Sequence, residues 1–233
     1  MKKLVILLNA IFVVFTAVMC VVYKNNYQLW LKALTAAGFV AIGAVNFVHT
    51  LLSKKKKSFP LLAFLGLALC MAGDIILFKN FIFGAAVFVL GHIAYICAYC
   101  MLKKISVTDI TVTAVTAAVS LAFIFLCPAF NFGGAVMTGV AAVYALVISV
   151  MLGKAISNFI TEKSLLHAVL LLGSLMFFVS DIALAFNVFG GSPNWSNTLC
   201  LFTYFPGQCV IALSLYFYNT NEICTQNREV LYE

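Results

Sequence analysis

The stretch CMAGDIILF, residues 70–78, sets an ionisable Asp74 inside an otherwise apolar run, and VSDIALAF, residues 179–186, does the same with Asp181. Each stretch belongs to a continuous apolar segment about as long as a bilayer is thick. The chain as a whole is 64% hydrophobic and 9% charged, with a mean hydropathy of +1.11, far from the composition of soluble domains. At roughly 20 apolar residues per crossing, eight spans are read near 4–23, 30–52, 59–78, 82–102, 109–127, 134–153, 165–189 and 198–219. An outer-membrane barrel would instead show alternating segments of about ten residues. The expected fold class is therefore all-α: a polytopic membrane protein of eight transmembrane helices in one domain, 1–233, with a short tail at 220–233.

The opening MKKLVILLNAIFVVFTAVMC resembles a secretory signal, but its apolar run is too long, no small-residue cleavage site follows, and Met19 precedes Cys20 where a lipidation signal wants a small residue. It is read as span 1. Basic residues flank the spans unevenly: Lys2, Lys3, the run KKKK at 54–57, Lys103, Lys104, Lys154, Lys163 and Arg228 fall on one side, against Lys24 and Lys79 on the other. The positive-inside rule then predicts both termini cytoplasmic, in a bacterial cell membrane. The net charge of +7 needs no nucleic acid to explain it, and the KKKK run suits anionic membrane lipids. Cys70, Cys97, Cys127 and Cys209 lie inside spans and read as small core residues. Cys97 and Cys100 form a CxxC in mid-helix, without the context of a redox or zinc motif.

Aligning the aspartates exposes a repeat. Gly66 precedes Asp74 by eight residues as Gly173 precedes Asp181, and the next span of each copy carries a glycine and a polar residue, Gly91–His92 in GHIAYICAY and Gly207–Gln208 in GQCVIALSLY. A shift of four spans preserves direction, which suggests two parallel four-helix repeats, 1–104 and 105–220, about an axis along the membrane normal. At about 1.5 Å of rise per residue, Asp74 lies roughly 6 Å and Asp181 roughly 12 Å inside the non-cytoplasmic ends of spans 3 and 7. On the same scale His92 lies roughly 16 Å deep, Tyr204 roughly 9 Å and Gln208 roughly 15 Å. Helical spacing puts His92 with Tyr95, Tyr204 with Gln208, and Ser174 with Asp181 on shared faces. A polar pocket in the outer half follows, with Ser180 beside the second aspartate and Lys32 of span 2 as a cation at the mouth.

A carboxylate at membrane depth costs at least about 2.5 to 3.5 kcal/mol on insertion scales and faces a cavity or partner, so the two aspartates are the strongest functional signal. A zinc hydrolase would need several histidines at their level, whereas His49 and His167 lie about 20 Å away by helix rise. A membrane aspartyl protease would show glycine two residues ahead of the Gly73–Asp74 pair, where this chain has Met71. A proton-coupled carrier of a small or lipid-like substrate is the competing class, since parallel repeats with intramembrane carboxylates suit transport too, but its broken helices are not evident.

LGLALCMAGDIIL, GHIAY, GSLMFFVSDIALAF and TYFPGQ resemble the conserved blocks of the YhhN-type lysoplasmalogenase family, eight-span membrane proteins that hydrolyse the vinyl ether of lysoplasmalogens. The resemblance places the catalytic pair on Asp74 and Asp181, and implies a lysophospholipid substrate surrounded by Lys32, His92, Tyr95, Ser180, Tyr204 and Gln208. Where the family tends to have lysine followed by proline, this chain has Lys32–Ala33. A vinyl ether is cleaved by protonating its outer alkene carbon and capturing the resulting oxocarbenium with water, as paired carboxyls do in glycosidases. One carboxyl then serves as acid and the other, ionised, as base. No metal and no cofactor is expected.

Overall fold

The computed structural model describes residues 2–53 and 55–229, with 221–229 as backbone only. Among these residues the chain forms eight α-helices and no strand: α1 (Lys2–Asn25), α2 (Leu29–Leu51), α3 (Ser58–Leu77), α4 (Phe81–Leu102), α5 (Val107–Leu126), α6 (Ala135–Glu162), α7 (Leu165–Phe189) and α8 (Asn194–Glu229). Each is long and apolar enough to cross a membrane, the last over Asn194–Thr220. In a bilayer core only internally hydrogen-bonded backbone is stable, so continuous apolar runs become helices. Polar caps end them: Asn80 accepts the Phe83 N–H at 3.1 Å, and Ser164 that of His167 at 3.4 Å.

Two boundaries depart from the expected spans. Span 6, read as ending at 153 with Lys154 as a flanking charge, continues to Glu162. Lys154 is only 3% exposed, its ammonium 3.0 Å from the Asp109 carboxylate and 3.3 Å from the Lys104 carbonyl. A buried charge persists when it is paired and hydrogen-bonded, so the lysine sits inside the helix it was expected to end. Span 8 begins at Asn194 and passes through Pro206 without a break. The tail expected at 220–233 is helical as far as Glu229; Lys54, the Arg228 side chain and residues 230–233 lie outside the described residues. Within the KKKK run, the Lys55 ammonium donates to the Tyr218 and Asn219 carbonyls at 3.1 and 2.6 Å. Cys70 and Cys209 are buried, but Cys97 is exposed on the bundle surface and Cys127 half-exposed, so the core reading fails for Cys97, whose position on α4 turns outward.

Helix neighbours recur at a spacing of four: α1 with α2, α2 with α3, α3 with α4 and α2 with α8 reappear as α5 with α6, α6 with α7, α7 with α8 and α6 with α4. At the α3–α4 and α7–α8 crossings glycines face each other. A Cβ on Gly91 would lie 3.4 Å from the Gly66 carbonyl, and one on Gly207 3.3 Å from the Gly173 carbonyl, so small residues bring α3 onto α4 and α7 onto α8 as they do in membrane bundles generally. Gly173→Ala would push a methyl to 2.6 Å from Ile211 Cγ1 and 3.1 Å from the Gly207 carbonyl. We expect it to destabilise the bundle by about 1 to 3 kcal/mol, the usual cost of overpacking, read as a lower thermal unfolding midpoint in detergent; an unchanged midpoint would show the crossing to be loose.

Candidate active site

Asp74 lies near the end of α3 and is 2% exposed. Both of its oxygens are engaged: Lys32 Nζ of α2 is 3.0 Å from Oδ1, and the Tyr204 hydroxyl of α8 donates to Oδ2 at 2.7 Å. Lys32, read from sequence as a cation at the mouth, thus has its ammonium on a carboxylate. Its helix reaches this level because α2 starts at Leu29, three residues earlier, and packs on both α3 and α8.

Asp181 on α7 has different company. The Tyr144 hydroxyl of α6 donates to its Oδ2 at 3.2 Å, and His92 Nε2 of α4 stands 3.9 Å from the same oxygen, beyond hydrogen-bond distance. Each aspartate is therefore met by the second helix of its own half of the chain and the fourth helix of the other half. The partners are unlike: a lysine and a tyrosine for Asp74, a tyrosine and a histidine for Asp181.

His92 is informative about protons. Its Nδ1 lies 2.6 Å from the Phe88 carbonyl, which only accepts, so Nδ1 carries a hydrogen. Buried Nε2 has no hydrogen-bond partner and faces Asp181. In the neutral ring Nε2 is then the accepting nitrogen, turned toward that carboxyl.

Aromatic rings pack between the partners of the two carboxyls. The Phe177 ring is 4.7 Å from His92 and 5.2 Å from Tyr204, and Phe88 lies 6.0 Å from Tyr204. An apolar cavity of about 220 Å³ opens beside Asp181 and Tyr144, with Phe88 in its wall.

The remaining sequence candidates sort themselves around this centre. Tyr95 donates to Gln208 Oε1 at 2.7 Å, deeper between α4 and α8, and the buried Gln208 Nε2 is without a hydrogen-bond partner. Ser180 lies apart: its hydroxyl donates to the Phe177 carbonyl of its own helix at 2.6 Å. Ser174 is taken up by Tyr99 at 2.9 Å. Tyr144 is the contact that sequence reading missed. Its one signal is a hydroxyl in the apolar run AAVYALVI, residues 141–148, and nothing in the spacing of α6 aims it at α7.

The arrangement can hold a carboxylate ionised at one place and a proton available at another within one poorly solvated site. The family model for the YhhN family matches residues 27–215, which takes in α2 through most of α8 and every residue of the site. No curated protein and no solved structure matches the chain.

Proposed function

This chain belongs to the YhhN family, and on that premise we propose that it is a membrane hydrolase that cleaves the vinyl ether of a lysoplasmalogen to a fatty aldehyde and a glycerophospho-alcohol. The observation that carries the reading is the unequal pairing of two buried carboxyls, Asp74 with Lys32 at 3.0 Å and Asp181 with Tyr144 at 3.2 Å. Vinyl ether hydrolysis needs an acid and a base, and a single cation on one side distinguishes them. Asp74, balanced by Lys32, is the base. Asp181, paired with the neutral Tyr144 hydroxyl at 3.2 Å, is the acid.

Asp181 delivers its proton to the outer alkene carbon, and the inner carbon and ether oxygen become an oxocarbenium ion. The fixed Asp74 carboxylate stabilises that charge where it develops. Water adds to the inner carbon and gives its proton to Asp74, forming a hemiacetal. In the collapse Asp74 returns that proton to the leaving glyceryl oxygen while Asp181 takes the hydroxyl proton, so the carbon–oxygen bond breaks, the aldehyde forms and both groups are reset. The balance is one water consumed per ether cleaved. Each carboxyl reverses its role between the two stages, as microscopic reversibility requires of such pairs.

The test is fatty aldehyde release from purified protein given alkenyl and acyl lysophospholipids. Aldehyde from the alkenyl lipid alone is expected. No aldehyde from a folded preparation, with movement of the intact lipid across liposomes, would assign a carrier instead.

For orientation, we infer from the uneven basic residues, by the positive-inside rule, that both termini are cytoplasmic. In a cysteine-free background, a cysteine placed at 190–193, in the loop between α7 and α8, should label from outside spheroplasts. One at 55–57 should label only after permeabilisation, and the reverse pattern would invert the protein.

A further inference from the structure

The four-helix recurrence breaks at two places, both on α4: α3 packs on α8 while its counterpart α7 makes no comparable contact with α4, and α1 and α5 differ likewise. Helix α1 packs on both α2 and α8, whereas its counterpart α5 packs on α6 alone and makes no comparable contact with α4. A short polar seam holds α5 there: Thr116 Oγ1 donates to the Ser149 carbonyl at 3.1 Å, and Ser149 Oγ to Ser120 Oγ at 2.8 Å. The space that α5 leaves open toward α4 and α7 is the cavity of about 220 Å³.

Its chemistry is one-sided. Val119, Phe123, Ala145 and Phe178 are typical of the wall, and its polar side chains are Ser120, Tyr144 and Asp181. Ser120 already donates to the Thr116 carbonyl at 2.8 Å and Tyr144 to Asp181. A ligand along this wall is offered no polar side chain other than Asp181 and its tyrosine. Toward the end of the bundle opposite the chain termini, rings close the cavity: Phe132 lies 4.7 Å and Phe81 5.6 Å from Phe189. The Asn131 N–H donates to the Phe189 carbonyl at 2.9 Å, tying the 127–134 connection over α7. Helices α4 and α5 both line the cavity and, among the described residues, make no contact with each other.

We propose that this cavity holds the hydrocarbon chain of the substrate, admitted sideways from the bilayer between α4 and α5, so that the chain's first carbons stop at Asp181. The assignment rests on the proposed hydrolysis for the identity of the chain. It also gives the two aspartates their sides of the ether: the outer alkene carbon, on the chain side, meets Asp181, and the glyceryl side faces Asp74 and Lys32. An apolar slot continuous with a reacting carboxyl binds by surface burial, which grows with each methylene covered, and so discriminates by chain length.

The probe is a saturated alkyl-ether lysophosphoethanolamine with a diazirine near the chain end, which cannot be hydrolysed as a vinyl ether. Irradiated with wild-type protein in nanodiscs, it should label peptides of α5 and α6 at Val119, Phe123 or Ala145, and excess unlabelled alkyl lysolipid should abolish the adducts. Adducts confined to α1 or α2, or adducts that competition leaves untouched, would overturn the slot. Filling it by Ala145→Phe or, independently, Ala141→Phe should lower labelling tenfold or more and move the preferred alkenyl chain several carbons shorter. Unchanged chain preference in a folded variant would also overturn it. Labelling needs no turnover, so the two readings fail separately: competed cavity adducts without aldehyde remove the reaction and keep the chain site, whereas aldehyde release with adducts elsewhere does the opposite.

Discussion

Asp181→Asn and Asp74→Asn should each reduce aldehyde release by a thousandfold or more while the protein still binds a non-hydrolysable alkyl lysolipid. Proton transfer by a positioned group contributes about 10² to 10⁴ in rate, and here each carboxyl is asked to work twice per turnover. Asparagine keeps the volume and can still accept from Tyr144 at position 181 or Tyr204 at position 74, so packing is little disturbed. What it cannot do is supply the acid proton or take one from water. Because the two act as a unit, the double variant should be little slower than either single one. Activity within tenfold of wild type in either single variant would remove that residue from the chemistry.

Replacing Lys32 with methionine should lower kcat by about a hundredfold, with little change in KM. The ammonium is 3.0 Å from Asp74, and both side chains are largely shielded, at 12% and 3% exposed. A carboxylate stripped of its cation in such a place neutralises by taking a proton, and the base is then lost at the scale of general-base catalysis, about 10² to 10⁴. A lysine that instead held the substrate phosphate would act equally on ground and transition states, raising KM and leaving kcat alone. Steady-state kinetics of this variant separates the two roles. A second comparison guards the result: Lys32→Met combined with Asp74→Asn should be no slower than Asp74→Asn by itself and should recover stability, since no buried charge is then unpaired. If the double variant is slower still by tenfold or more, Lys32 acts on something besides Asp74.

The legible part of this protein is the part that depends on chain-local energetics. An unsatisfied backbone group in hydrocarbon costs several kcal/mol, so an apolar run of bilayer length has one stable conformation. All eight helices follow from that, and two carboxyls placed inside them stand out for the same reason. Similar depth for Asp74, Asp181, Lys32 and Tyr204 also follows, because rise per residue is fixed. Where the reading failed locally, a distant partner had changed the local cost: Lys154 stays inside α6 because Asp109 of α5 neutralises it at 3.0 Å.

Depth says nothing about rotation, and rotation decides the site. Whether Lys32 meets a phosphate or Asp74, and whether Asp181 is answered by Tyr144 or left to lipid, depends on how each helix turns about its axis. That is set by contacts far apart in sequence, such as Gly66 under Gly91 and Gly173 under Gly207. The failure of α5 to close on α4 is of the same kind. Its polar seam commits it to α6, and the resulting cavity belongs to no single helix. Composition and periodicity thus determined the eight helices, their order and the level of the carboxyls, because those are properties of single segments in a bilayer. The tertiary structure decided which carboxyl has the cation and which has the cavity, because those are set by side-chain packing between helices.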